Sequence, residues 1–129
     1  MAWKNWIIFA LCSLGLLAAL FTLVSAQTQT TVPISKEELT SITWQFGRGD
    51  GSVISNNMHL NPDGTISGYS HPNEHRWGVE GNEILFYRED SQVATRFNTF
   101  ETVGGKWVIQ GPFMFPTSYN PIHVLKQLN

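Results

Sequence analysis

The chain has 129 residues, a formal net charge of −2 and a single cysteine, Cys12. This length favours one domain. The near-neutral charge, with no cluster of Lys and Arg, argues against nucleic-acid binding, because that binding draws its affinity from clustered cations. Cys12 lies in the apolar N-terminal run, so the remainder of the chain has no thiol. Disulfides, thiolate catalysis and cysteine metal ligands are therefore excluded from that remainder.

Residues 1–26 are typical of a secretory signal. Lys4 precedes an apolar run from Trp6 to Val24, and Val24-Ser25-Ala26 supplies small residues at a cleavage site before Gln27. The run also approaches the roughly 20 residues that span a bilayer, so an uncleaved inner-membrane anchor over residues 6–24 is the alternative. We expect an exported domain, periplasmic or extracellular, that contacts a membrane only if this segment is retained.

The remaining chain divides into a tether with a short helix, residues 27–40, and a β domain, residues 41–129. Ser35-Lys36-Glu37-Glu38 matches a capping box and predicts a helix that ends near Ile42. From Trp44 onward, short apolar runs alternate with turn residues such as Asp63-Gly64. This pattern predicts about eight strands: Thr43–Phe46, Ser52–Leu60, Thr65–Tyr69, Arg76–Val79, Glu83–Tyr87, Val93–Phe100, Lys106–Gln110 and Ile122–Gln127.

Short strands at hairpin spacing without helical crossovers indicate an all-β fold built as an antiparallel meander. A small chain buries one face of such strands either in a closed barrel or in a two-sheet sandwich. We expect the small closed barrel, because closure removes exposed strand edges. One face of the strands carries the expected core: Met58, Leu60, Ile66, Trp77, Phe86, Phe97, Trp107 and Ile109.

Three segments carry a resemblance to known families. SITWQFG (Ser41–Gly47) and MHLNPDGTISGY (Met58–Tyr69) resemble the opening of small calycin-type barrels, the lipocalin and streptavidin-like group. Ile42 stands where the lipocalin Gly-x-Trp has its glycine, and no biotin site is carried over. The resemblance implies a barrel with one closed end and a ligand mouth. GYSHPNEHRW (Gly68–Trp77) is similar to a motif in small exported bacterial domains near glycan-handling proteins, which implies a saccharide-related role.

The nine residues Tyr69–Trp77 hold an unusual density of hydrogen-bonding side chains and aromatic rings. Planar polar groups beside aromatic faces suit a sugar or another small polar ligand. We therefore predict a binding site formed by Tyr69, His71, Asn73, Glu74, His75, Trp77 and Arg96. The proline-marked loop 111–121, with Phe113, Phe115 and Tyr119, is either a lid over this mouth or simple cover for the core.

Glu74 also has a structural interpretation, in which Arg96 or Arg88 neutralises it, because a buried unpaired carboxylate costs several kcal/mol. The letters of His71–His75 fit a His-x-x-Glu-His zinc motif, but that motif works on a helix, and Pro72 and the flanking strands argue against one here. We expect no metal and no cofactor.

The leading hypothesis is a non-catalytic exported domain that binds a small polar or saccharide ligand or assists a cell-envelope process. The alternatives are a structural accessory without a ligand and a hydrolase or lyase that depends on a histidine and Glu74.

Overall fold

The computed structural model describes residues 32–129, and the predicted signal segment lies outside them. This part of the chain is predominantly β-structure with one short helix. Its elements are α1 (Lys36–Ser41), β1 (Trp44–Arg48), β2 (Val53–Leu60), β3 (Ile66–Ser67), β4 (Arg76–Glu80), β5 (Glu83–Tyr87), β6 (Val93–Phe97), β7 (Thr99–Val103), β8 (Lys106–Pro112) and β9 (Ile122–Gln127). Within these residues, no helix has the length and apolar character that a membrane crossing needs.

The strands form three antiparallel meanders of three strands each. The first (β1–β3) and the third (β7–β9) join through pairing of β1 with β9, which gives a six-stranded sheet in the order β3-β2-β1-β9-β8-β7. The second meander forms a separate three-stranded sheet, β4-β5-β6. The expectation of a closed barrel is therefore wrong, and the fold consists of two antiparallel sheets.

The two sheets do not close into a barrel because only one β-bridge joins them on each side. On one side β3 has only two residues, and Thr65–Arg76 is the single bridge to the second sheet. On the other side the predicted strand Val93–Phe100 is split at Asn98, so that β6 pairs with β5 and β7 pairs with β8. Thr95–Phe113 is the one β-bridge on that side. The split also accounts for nine strands instead of the predicted eight.

The hydrophobic core lies between the two sheets, and the predicted core face is confirmed. Six of its eight members are buried, namely Met58, Leu60, Trp77, Phe86, Phe97 and Ile109, and the other two, Ile66 and Trp107, are partly buried against them. Trp44 and Phe46 of β1 are also fully buried in this core. Burial of aromatic and aliphatic surface, at about 25 cal/mol per Å², stabilises a fold that has no disulfide among these residues.

The short helix begins where the capping box predicts. The hydroxyl of Ser35 accepts a hydrogen bond from the Glu38 amide at 3.1 Å, and the helix ends at Ser41 with Ile42 extended. The second half of the capping box does not form. Instead, Glu38 Oε1 accepts a hydrogen bond from Trp107 Nε1 at 2.9 Å. The carboxylate therefore ties α1 to strand β8.

Candidate functional site

A cavity of about 230 Å³ lies at the end of the molecule where the first and last strands of the large sheet meet the segment between β3 and β4. It is a mixed site, with charged, hydrogen-bonding and aromatic side chains from five parts of the chain. These are Arg48 of β1, Ile54 of β2, Tyr69, His71, Asn73 and Glu74 before β4, Phe113, Thr117, Tyr119 and Pro121 of the β8–β9 connection, and His123 of β9.

Backbone hydrogen bonds fix the segment that carries four of these side chains. The amide of Glu74 donates to the His71 carbonyl at 3.0 Å and closes a tight turn. The amide of His75 donates to Tyr87 at 2.9 Å, and the amide of Glu89 donates to Pro72 at 3.0 Å. The turn is thus attached to the end of β5. As a result Glu74 lies inside, at 5% exposure, while His75 is exposed.

Glu74 has no arginine partner, so the predicted ion pair with Arg96 or Arg88 is wrong. Arg96 Nη1 lies 3.6 Å from a Glu83 carboxylate oxygen, and Arg88 Nε lies 3.7 Å from Asp90 Oδ1. Arg96 is held by an acidic residue of its own sheet and Arg88 by one of its own turn, where forming the pair requires less desolvation than pairing with Glu74 would. The Oε2 atom of Glu74 is shut off from water and has no hydrogen-bond partner in the described part of the chain.

Burial raises the pKa of Glu74 to about 7, because desolvation disfavours the carboxylate, and the positive charge of Arg48 only partly opposes this. The hydrogen bonds of His71 point the same way. Its Nδ1 accepts the amide hydrogen of Asn73 at 3.2 Å and therefore presents a lone pair. Glu74 Oε2 lies 3.2 Å from that same nitrogen. Because Nδ1 acts as an acceptor, it offers no hydrogen to a Glu74 carboxylate, and the charged form gains no hydrogen bond there. With a pKa of about 7, Glu74 is mainly protonated at mildly acidic pH and mainly ionised above about pH 8.

On the opposite wall, His123 is also neutral. It is 5% exposed, and its Nδ1 lies 2.8 Å from the hydroxyl of Thr95. Burial, together with the positive charge of Arg48, lowers the pKa of His123 to about 4. Its ring packs edge-on against Phe46, with ring centroids 4.9 Å apart, and lies 5.1 Å from the Phe113 ring. This histidine is a rigid neutral wall of the cavity.

Arg48 is the permanent charge of the site. It lies directly opposite His123 in the β1–β9 ladder. Its one side-chain hydrogen bond in the described residues is from Nη1 to Ser52 Oγ at 3.3 Å, and the ion pairs of these residues do not include it. A guanidinium has five N–H donors in a planar fork, so most of this hydrogen-bonding capacity is not used within the described residues.

The structure brings together four of the seven predicted site residues, namely Tyr69, His71, Asn73 and Glu74. The other three lie elsewhere. His75 lines a separate depression with Arg76 and Tyr87. Trp77 is buried in the core, where its Nε1 donates to the Asn61 carbonyl at 2.8 Å. Arg96 pairs with Glu83 at the far strand of the small sheet.

The predicted lid loop contributes two of its three aromatic residues, Phe113 and Tyr119. Phe115 instead packs between Phe113, at 5.8 Å between ring centroids, and the Arg88 guanidinium, at 4.3 Å from its ring. Sequence reasoning missed Arg48 and His123 as site residues. Arg48 begins an Arg-Gly-Asp tripeptide whose glycine-rich surroundings indicate only a hairpin loop, and His123 lies within an ordinary strand pattern.

The described residues contain no group of three or more His, Cys, Asp or Glu side chains placed to hold a metal ion. Comparisons of the chain with family models, with curated proteins and with solved structures found no match. The functional argument therefore rests on the chemistry of the cavity.

Proposed function

We propose that this protein is an exported domain that binds a small polar ligand, such as a single saccharide unit, in the cavity beside Glu74. The observation that carries the proposal is the Glu74 carboxyl, which is buried, lines the cavity and has one oxygen, Oε2, without a hydrogen-bond partner among the described residues. A buried polar group without a partner costs about 1–3 kcal/mol. A ligand hydroxyl that reaches the carboxyl would remove this cost.

The size and lining of the cavity support a small ligand. Its volume of about 230 Å³ lies below the roughly 300–1,000 Å³ of pockets for drug-sized molecules. Tyr69 and Tyr119 offer ring faces for the apolar side of a sugar, and Asn73 and Arg48 offer hydrogen-bond donors. Tyr119 is 60% exposed, so it lies at the mouth, where closure over a ligand would bury it.

Saturation-transfer NMR of the purified protein with glucose, N-acetylglucosamine and glucuronate tests the proposal. We expect signal transfer to at least one of these sugars and its loss in Tyr119→Ala, because that ring would cover the bound sugar. Met114→Ala is the matched control, since Met114 is an exposed apolar residue of the same loop, at 46%, that does not line the cavity. Absence of transfer to all three sugars, or equal loss in both variants, would contradict saccharide binding at this site.

The site also bears on the alternative of an enzyme that uses a histidine and a carboxyl. A protonated Glu74 beside His71 could donate a proton. However, the other acidic residues of the described chain do not line the cavity, so a second carboxylate of the kind that glycoside hydrolysis needs is missing there. Binding without catalysis is the function that the arrangement supports best.

A further inference from the structure

The charges in the cavity carry information about the ligand beyond its size. Arg48 brings a permanent positive charge that is not balanced by an ion pair within the described residues. Glu74 is the acidic residue of the cavity lining, and its buried carboxyl faces an Nδ1 atom that accepts the Asn73 amide hydrogen, so its neutral form is favoured below about pH 7. The two histidine contacts add no negative charge. The cavity is therefore net positive at mildly acidic pH.

We propose, on the basis of the proposed function, that the ligand is a hydroxylated carboxylate, with an acidic sugar such as a uronate as the simplest representative. Its carboxylate would bind the guanidinium of Arg48, and one of its hydroxyl groups would donate to the uncharged Glu74 carboxyl. The two protein groups lie on different walls of one cavity, Arg48 on β1 and Glu74 before β4.

Each half of this assignment has a chemical reason. Arginine binds carboxylates in a bidentate manner because its parallel N–H groups match the two oxygens. Arg48 uses one hydrogen bond, to Ser52, and keeps the rest of its fork available. Glu74 Oε2 faces His71 Nδ1 at 3.2 Å and is shut off from water, so the other carboxyl oxygen is the one that a ligand can reach as an acceptor. That oxygen suits a hydroxyl donor.

Ionisation of Glu74 would work against such a ligand, because two carboxylates would then share a small cavity of low polarity. The other titratable groups around it are Arg48, Tyr69 and His71, with His123 and Tyr119 on the facing walls. Burial and the neighbouring Glu74 raise the pKa of the Tyr69 hydroxyl, and His123 is neutral above about pH 4. The affinity for a carboxylate ligand should therefore fall as Glu74 loses its proton.

Glucuronate and glucose make a matched pair of probes, since they differ only in a carboxylate in place of a hydroxymethyl group. We expect isothermal titration or NMR titration to show glucuronate binding about tenfold or more tightly than glucose at pH 5.5, a typical gain for a charge-assisted contact. Between pH 5.5 and 8.5 the glucuronate affinity should fall by about fivefold or more, whereas the glucose affinity should change by less than about twofold.

Three variants assign the effects to residues. Arg48→Gln should reduce the preference for glucuronate over glucose to about twofold or less. Lys126→Gln, which removes an exposed cation from the adjacent strand β9, should leave it unchanged. Glu74→Gln keeps an uncharged group of the same shape and should bind glucuronate with little pH dependence, which assigns the pH effect to this carboxyl.

The outcomes distinguish the failure of this inference from that of the proposed function. Glucose binding as tight as glucuronate binding, or glucuronate binding that strengthens with rising pH, would overturn the carboxylate assignment and leave the saccharide site standing. If neither sugar binds but acetate broadens the resonances of Tyr69 and Glu74, the carboxylate assignment is supported and the saccharide assignment is overturned. Binding of none of the three probes would overturn both.

Discussion

Replacement of Glu74 by glutamine should make the protein more stable at alkaline pH and leave its stability unchanged at acidic pH. The pKa of this carboxyl is about 7 in the folded protein against an ordinary value of 4.5. The folded state therefore holds a proton that the unfolded chain has lost between these two values. Under proton linkage, the free energy of unfolding of the native protein then falls as pH rises from about 4.5 to about 7.

The size of the effect follows from the same two values. A difference of one pH unit in pKa corresponds to about 1.4 kcal/mol, so ionisation of the buried carboxyl costs about 3 kcal/mol of stability above pH 7. Glutamine has no such ionisation and keeps the shape of the protonated acid. The Glu74→Gln variant should thus equal the native protein near pH 4.5 and exceed it by about 3 kcal/mol near pH 8.

Urea unfolding followed by tryptophan fluorescence, repeated between about pH 4.5 and 8.5, measures this difference. Trp44 and Trp77 are buried and report on loss of the core. Glu101→Gln is the matched control, because Glu101 is an exposed carboxylate of β7 and its removal should give a small difference that does not vary with pH. A Glu74→Gln difference that stays constant, or that shrinks as pH rises, would refute the inference that this carboxyl is held neutral.

Three further predictions test other parts of the structure. His123→Asn should leave a protein that is more stable at pH 5 than at pH 7.5. The native histidine, with its pKa lowered to about 4, makes the protein less stable as pH falls below 6.5, and this offsets the opposite pH dependence that Glu74 causes. Thermal unfolding of the variant at the two pH values measures the difference. Gly111→Ala should lower the free energy of unfolding by more than about 2 kcal/mol, because its Cβ would lie 1.7 Å from the Arg96 carbonyl oxygen. Gly78→Ala is the control, since the nearest contact of its Cβ would be an ordinary 3.4 Å. Urea unfolding of both alanine variants compares them. Intact mass of the exported protein should match a chain that begins at Gln27, and a mass that includes residues 1–26 would favour the anchor instead.

Local patterns in the sequence predict most strands because local chemistry decides them. Asp63-Gly64 makes the expected hairpin turn, with Gly64 at φ +87°, a conformation that favours glycine. The break at Asn98 had a weaker signal, since Val93–Phe100 contains one asparagine but no glycine or proline. The first half of this run pairs with β5, and the second half pairs with β8. That choice depends on contacts between distant parts of the chain, and it converts the expected barrel into two sheets.

The candidate site divides in the same way. Tyr69, His71, Asn73 and Glu74 are neighbours along the chain, so their density alone marked the segment as a candidate site. Arg48 lies far from that segment and enters the cavity only because β1 pairs with the last strand. The expected arginine partners of Glu74 were chosen on nearby strands, but the actual cation comes from a different sheet and lies across a cavity rather than in an ion pair.

The signs of these effects separate a structural role of Glu74 from a binding role. A carboxyl that serves only the fold should be a net stabilising group, and its replacement by glutamine would weaken the protein at every pH where it is paired. The structure instead shows a carboxyl without a hydrogen-bond partner, opposite an arginine without an ion pair within the described residues. Both groups carry desolvation costs that an apolar pair of similar shape would avoid. A variant that gains stability at pH 8 while its affinity for glucuronate loses its pH dependence would show that the same proton governs both properties.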